Sequence, residues 1–181
     1  MRKLVGYTLL SADGVAESPE QFLLDFDDEL QEHLNGVIDT QDAVLLGRRM
    51  HDEWADFWPA SDVEPFASFI NSTRKYVATS TPLQARWTMA TVMEGSVPEF
   101  VCDLKAQAGG DIGVHGSIEL TRSLFEAGLV DELRLVIAPA VAGHGRRLFG
   151  DGQDLRRLQL LRGATTSSGA LIVDYRVLAT G

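Results

Sequence analysis

The sequence predicts one α/β domain in three layers, with helices on both faces of a mostly parallel sheet and an antiparallel hairpin at its C-terminal end. Three observations predict it. Strand-like and helix-like segments alternate along most of the chain, as βαβ units require. Ala43-Val44-Leu45-Leu46 is apolar at every position, which suits a strand buried on both faces. Residues 158–164 and 171–178 flank Thr165-Thr166-Ser167-Ser168-Gly169, a polar turn between two strand patterns.

Residues 4–10 read as the first strand, ending at the turn signal Ser11-Ala12-Asp13-Gly14. Ser18-Pro19-Glu20-Gln21 reads as a helix start, with Ser18 as cap and Pro19 in the first position. Leu23, Phe26, Leu30, Leu34 and Val37 then follow at helical spacing. The strand at 43–46 stops at Gly47-Arg48-Arg49, which opens a second helix through Met50 and Trp54. Residues 65–70 form a short helix, 75–79 a strand, and 88–93 a weaker one. Ser96 and Glu99 are capping-box partners, and Val97, Phe100, Val101, Leu104 and Ala108 make one apolar stripe closed by Gly109-Gly110. Residues 112–114 form a strand that runs into His115-Gly116-Ser117. The helix carrying Leu120, Leu124 and Phe125 closes at Gly128, and 131–138 is a long strand.

At 181 residues, with 45% apolar and 23% charged side chains, the chain has the size and composition of one globular domain with a full core. Its formal charge of -10 argues against nucleic acid or an anionic membrane as a partner, but a small anionic ligand responds to local charge instead. Cys102 is the only cysteine, so no internal disulfide or cysteine zinc site is available, and it is expected to face the core. With no signal-like N-terminus and no membrane-length apolar run, the expected compartment is the cytoplasm.

Ligands of open α/β sheets bind beyond the carboxyl ends of the strands, and three predicted strand ends here carry groups suited to phosphate. Gly47, Arg48 and Arg49 combine close backbone approach, a helix start and planar guanidinium donors. Alternatively they are a turn glycine and two solvated arginines. Thr79, Ser80 and Thr81 offer three hydroxyls that bond a phosphate or cap a turn. His115, Gly116 and Ser117 follow the strand–glycine–helix plan that meets a pyrophosphate, without the full G-x-G-x-x-G fingerprint. Asp13 is the candidate catalytic and substrate-contacting group, or simply a good turn residue. Trp54 is a candidate pocket wall or a core residue. His51-Asp52-Glu53 matches half of a zinc deaminase signature, but the cysteine pair which that chemistry needs is absent. No metal site is expected.

Together and in order, Ser11-Ala12-Asp13-Gly14, Leu46-Gly47-Arg48-Arg49, Val114-His115-Gly116-Ser117 and Gly128-Leu129-Val130-Asp131-Glu132-Leu133 resemble a known family. Pro139, Gly143-His144-Gly145 and Leu148-Phe149 complete the pattern. It is similar to the reductase (C-terminal) domain of the riboflavin-biosynthesis deaminase-reductase and to stand-alone dihydrofolate reductase family proteins, over about residues 3–178. The resemblance implies a dihydrofolate-reductase-like fold, NADPH as hydride donor and a small pteridine-, pyrimidine- or ribosylamino-type substrate. In such an arrangement Gly47 and Arg48 lie at the adenosine-side phosphates. Thr79, Ser80 and Thr81 lie near the 2′-phosphate, and His115, Gly116 and Ser117 line the pyrophosphate turn. Arg49 joins them on charge grounds. Dihydrofolate reductases keep an acidic residue on the first helix; counting back from Gly47 places Gln31 there, with Asp27 and Asp28 one turn earlier. The alternative is a protein of the same fold that binds NADPH without turnover. A third alternative is a structural homodimer with an empty cleft, paired through the apolar strand at 133–138.

Overall fold

The structure is a computed structural model and describes residues 1–150 and 153–179. Strand β1 (Leu4–Leu10) lies in the interior of an eight-stranded sheet of order β4-β3-β2-β5-β1-β6-β8-β7. The other strands are β2 (Gln41–Gly47), β3 (Arg74–Ala78), β4 (Ala90–Val92), β5 (Asp111–His115), β6 (Glu132–Ile137), β7 (Leu158–Thr165) and β8 (Leu171–Val177). All strands from β4 to β6 in that order pair in parallel, whereas β8 is antiparallel to both β6 and β7. The helices are α1 (Asp28–Ile38), α2 (Arg48–Phe57), α3 (Phe66–Ser72), α4 (Val97–Ala106) and α5 (Ile118–Glu126).

The layers follow from which face each apolar residue takes. Val101, Leu104, Leu120 and Leu124 of α4 and α5 pack with Leu4, Leu45 and Ile112 on one face of the sheet. Leu30, Leu34, Ala55 and Ile70 of α1, α2 and α3 pack with Val44, Leu46 and Val136 on the other. Ala43, Val44, Leu45 and Leu46 are each no more than 1% exposed, as expected of a strand covered on both sides. The fold class predicted from the sequence is the one observed.

Three expectations are corrected. The first helix does not start at Ser18: that residue takes φ 51°, ψ 58°, makes no capping hydrogen bond, and precedes only a short 3-10 turn over Pro19–Gln21. Asp27 is the true cap, because its carboxylate accepts from Leu30 N at 2.9 Å and from Ser168 N in the β7–β8 turn at 2.9 Å. Phe22 and Leu23 instead pack in a separate cluster with Val15 and Ala138. Cys102 is exposed, since α4 buries Val101, Leu104 and Lys105 instead; the Lys105 ammonium reaches Leu129 O at 2.9 Å, and Ala108 falls beyond the helix. Strand β6 is hydrogen-bonded to β1 on one side and β8 on the other, so it has no free edge for pairing with a second copy.

Among the described residues no helix is long and apolar enough to cross a membrane. Lys75 on β3 is fully buried; its ammonium donates to Ile70 O at 2.6 Å and Thr73 O at 2.8 Å and lies 4.5 Å over the Trp87 ring. Burial pushes its pKa down to about 8 from 10.5. Between those values the unfolded chain binds the proton and the folded chain does not, so stability rises with pH across that window. Lys75→Met is therefore expected to flatten the rise in urea midpoint between pH 8 and 10.5 relative to wild type.

Candidate functional site

Strands β3, β2, β5 and β1 are successive parallel neighbours, so their carboxyl ends emerge along one edge. A cavity of about 1220 Å³ opens there. The turns after β2 and β5 bound it, with Ala78 at the end of β3, Tyr7 and Leu9 of β1, and Gln31 and Leu34 of α1.

The two turns are joined by one hydrogen bond. Gly47 caps α2 in an extended conformation, and its N–H donates to Ser117 Oγ at 3.0 Å. Ser117 itself caps α5, so the N-terminal ends of two helices meet at the cavity. Those ends carry partial positive charge, which normally attracts acidic residues. Here α2 has none in its first turn and carries Arg48 and Arg49 instead. Placing cations at the positive end of a helix costs roughly 0.3–1 kcal/mol each at exposed sites. Asp52 and Glu53, one turn on, offset this through Arg48 Nε–Asp52 Oδ2 at 2.6 Å and Arg49 Nε–Glu53 Oε1 at 2.8 Å. Arg48, Arg49 and Arg146 share the lining with Glu17, Glu20, Glu53, Glu64 and Glu119, so the N–H groups of the two helix starts are what suits an anion here.

The structure brings most of the sequence-derived residues to this edge. Gly47, Arg48, Arg49, His115, Gly116 and Ser117 line the cavity. Trp54 lines it as well, and also packs edge-on against Trp58 at 5.7 Å and Phe66 at 5.5 Å, so wall and core roles coexist. Thr79, Ser80 and Thr81 stand outside the lining. Thr81 connects to it through Arg48, whose Nη1 donates to Thr81 Oγ1 at 2.7 Å and Pro82 O at 2.8 Å. Gly116 has φ 65°, and a Cβ there would lie 2.9 Å from Met50 Cε; glycine gives both the conformation and the close approach.

Two expectations about side chains change. The His115 imidazole lies inside the protein, 2% exposed, with Nε2 2.8 Å from Gln41 Oε1. Burial pushes its pKa down to about 3, so it is neutral and adds no positive charge to the turn. Asp13 is not part of the cavity lining: its carboxylate accepts from Ser11 Oγ at 2.7 Å, Ala142 N at 2.9 Å and Gly143 N at 3.0 Å. The Ser11 bond above all, with those backbone bonds, holds its pKa down to about 2. A carboxylate so engaged is a loop fastener rather than a catalytic or substrate-binding group.

Sequence reasoning missed Tyr7, Phe66, Glu17 and Arg146. Tyr7 carried a signal, because β1 is central and its residues approach the strand-end edge. Glu17 and Arg146 meet across the chain at 2.8 Å, and Glu17 also lies 3.6 Å from Arg49; no local pattern announces such a pairing. The Arg146 backbone N–H, then its side chain, holds the Glu17 pKa below the usual carboxyl range. Among the described residues no group of three His, Cys, Asp or Glu is arranged to hold a metal ion.

The chain belongs to the RibD C-terminal domain family, which it matches over residues 2–172. It is 28% identical to the Bacillus subtilis (strain 168) protein YyaP over 182 residues, covering 96% of this chain and 94% of that one. Its fold is shared with a Shewanella sp. PV-4 protein assigned to riboflavin biosynthesis, at TM-score 0.78 and 15% identity over 98% of this chain and 99% of that one. Enterococcus faecalis dihydrofolate reductase, solved with NADP(H), has the same fold at TM-score 0.60 and 16% identity, over 97% of this chain and 94% of that one. At these identities the solved structures establish the fold alone.

Gly116→Ala is expected to cost about 1–2 kcal/mol, measured by urea unfolding, because alanine resists the left-handed conformation. Asp13→Ala is expected to lower the thermal midpoint while leaving the tryptophan emission of the cavity wall unchanged. With the Asp13 pKa depressed, its contribution is present above the ordinary carboxyl range and lost as pH falls toward 2.

Proposed function

We propose that the chain is an NADPH-dependent reductase acting on a small pteridine-, pyrimidine- or ribosylamino-type molecule. The observation that carries this reading is the pair of helix starts tied by Gly47 N–H to Ser117 Oγ, with two arginines placed against the local dipole. The residues present fit the cofactor. Gly116 lets a pyrophosphate approach the backbone, and N–H groups at the starts of α2 and α5 offer donors to it. Arg48 with Thr79, Ser80 and Thr81 suits a 2′-phosphate at the rim, and Arg49 adds positive charge beside it. When bound, NADPH supplies the hydride.

The protein's own part is to hold a ring against that donor and exclude water. Leu9, Leu34, Trp54 and Phe66 give the rest of the cavity apolar walls for this purpose. Support also comes from relatives: the Thermotoga maritima protein of the same fold, at TM-score 0.68 and 12% identity, is a deaminase and 5-amino-6-(5-phosphoribosylamino)uracil reductase. This chain covers 57% of that one. Binding without turnover is the second reading, favoured by Gln31: an amide, not an acid, is what α1 presents to the cavity.

Thermal-shift titration tests the cofactor. NADPH at 100 times its Kd should stabilise the fold by about 2.7 kcal/mol, with a smaller gain from NADH at equal concentration. Arg49→Gln should leave stability unchanged or slightly higher and weaken NADPH about tenfold. No shift with either nucleotide defeats both readings. A shift without NADPH oxidation across a broad substrate panel selects the second.

A further inference from the structure

The cavity has two ends of different chemistry, and α2 contributes to both. Met50 and Trp54 lie four residues apart and share the helix face turned toward Gly116. A Cβ at Gly116 would lie 2.9 Å from Met50 Cε and 3.5 Å from Trp54 Cζ2. Arg49 and Glu53 share another face, where they pair at 2.8 Å. Arg48 also turns elsewhere, to Asp52 and Thr81. Arg146 meets Arg49 across Glu17, whose Oε1 lies 2.8 Å from Arg146 Nε and 3.6 Å from Arg49 Nη1. The arginines therefore gather around the first turn of α2.

The other end is aromatic. The Phe66 ring lies 5.5 Å from Trp54, 4.8 Å from Trp58 and 5.4 Å from His115, and His115 lies 5.7 Å from Tyr7. Leu34 of α1 packs in the same cluster. One turn earlier, Gln31 lines the cavity, and its Nε2 donates to Asn35 Oδ1 at 3.1 Å. That bond leaves the Gln31 carbonyl to accept from a ligand. Arg48, Arg49 and Arg146 are the arginines of the lining, and His115 is neutral, so the lining brings no cation to the aromatic end. Glu64, two residues before Phe66, adds a carboxylate, which accepts from Ser68 N at 3.2 Å and Ser68 Oγ at 2.7 Å.

We propose that the molecule taken beside the cofactor is a planar, uncharged heterocycle that carries no phosphate, held by the aromatic end and by the Gln31 carbonyl. The inference rests on the reductase reading, which commits Arg48 and Arg49 to the phosphates of NADPH. Arg146 is then the one arginine of the lining left for a second anion, and Glu17 already accepts from its backbone N–H at 3.1 Å and its Nε at 2.8 Å. A phosphoester entering with its ring would lose water and find no free cation, which is costly. A flat neutral ring stacks against aromatic side chains and gives one N–H to the amide at little cost. The Thermotoga maritima relative, by contrast, is a reductase of a phosphoribosyl compound.

Isothermal titration calorimetry on the full chain compares two matched pairs, with NADP⁺ present and with it absent. One pair is 5-amino-6-(5-phosphoribosylamino)uracil and the same molecule without its phosphate. The other is 6-hydroxymethylpterin phosphate and 6-hydroxymethylpterin. For whichever ring binds, the phosphate-free member should have a Kd at least about tenfold lower. Equal or tighter binding of a phosphorylated member overturns the proposal, and so does failure of all four to bind. Gln31→Leu should raise the Kd of the phosphate-free member about tenfold, and an unchanged Kd overturns the part given to the amide. Failure of NADP⁺ itself to bind is a separate result: it defeats the reductase reading, while the phosphate comparison is still read from the titrations without it.

Discussion

The hydrogen bond from Gly47 N–H to Ser117 Oγ spans 70 residues of sequence and holds the starts of two helices at a common point. Everything at the cavity is arranged around it. It satisfies one of the N–H groups that a helix start leaves unpaired, and it does so with a side chain from the neighbouring βα unit. The sheet order makes this possible, because β2 and β5 are adjacent and parallel although α2, α3, β3, β4 and α4 intervene along the chain. Without that adjacency the two turns would be unrelated loops.

Much of the fold is legible in the sequence, and the reasons are local. Residues 43–46 announce a doubly buried strand because no polar atom interrupts them. Ser96 and Glu99 announce a helix start because the cap bond is made within four residues. The first helix was misread because Leu23 and Phe26 share its period for other reasons: Leu23 belongs with a loop cluster, and Phe26 borders the cavity. Asp27 decides the boundary through a bond to Ser168, 141 residues away, which no window of sequence contains.

The candidate site divides along the same line. Glycines and arginines at strand ends could be found because backbone approach and helix starts have short signatures. Side-chain direction could not. Asp13 turns toward Ala142 and Gly143, and His115 turns inward to Gln41, because partners distant in sequence meet them there. The match to the RibD C-terminal domain family, over residues 2–172, spans the turns at the strand ends. Beneath them, Tyr7, His33 and Asp174 bring polar groups into a layer where packing alone would favour aliphatic side chains.

The arginines at the cavity carry their counterions with them. Arg48 is held by Asp52, Arg49 by Glu53 and Glu17, and Arg146 by Glu17 again. An anion entering here must displace carboxylates fixed to the protein rather than loosely held ions from the medium. Much of its electrostatic gain is thus spent on partner exchange, and the freed acids remain nearby to recapture the guanidinium groups when it departs. The mouth of the cavity is thereby disposed toward rapid release more than toward tenacious capture.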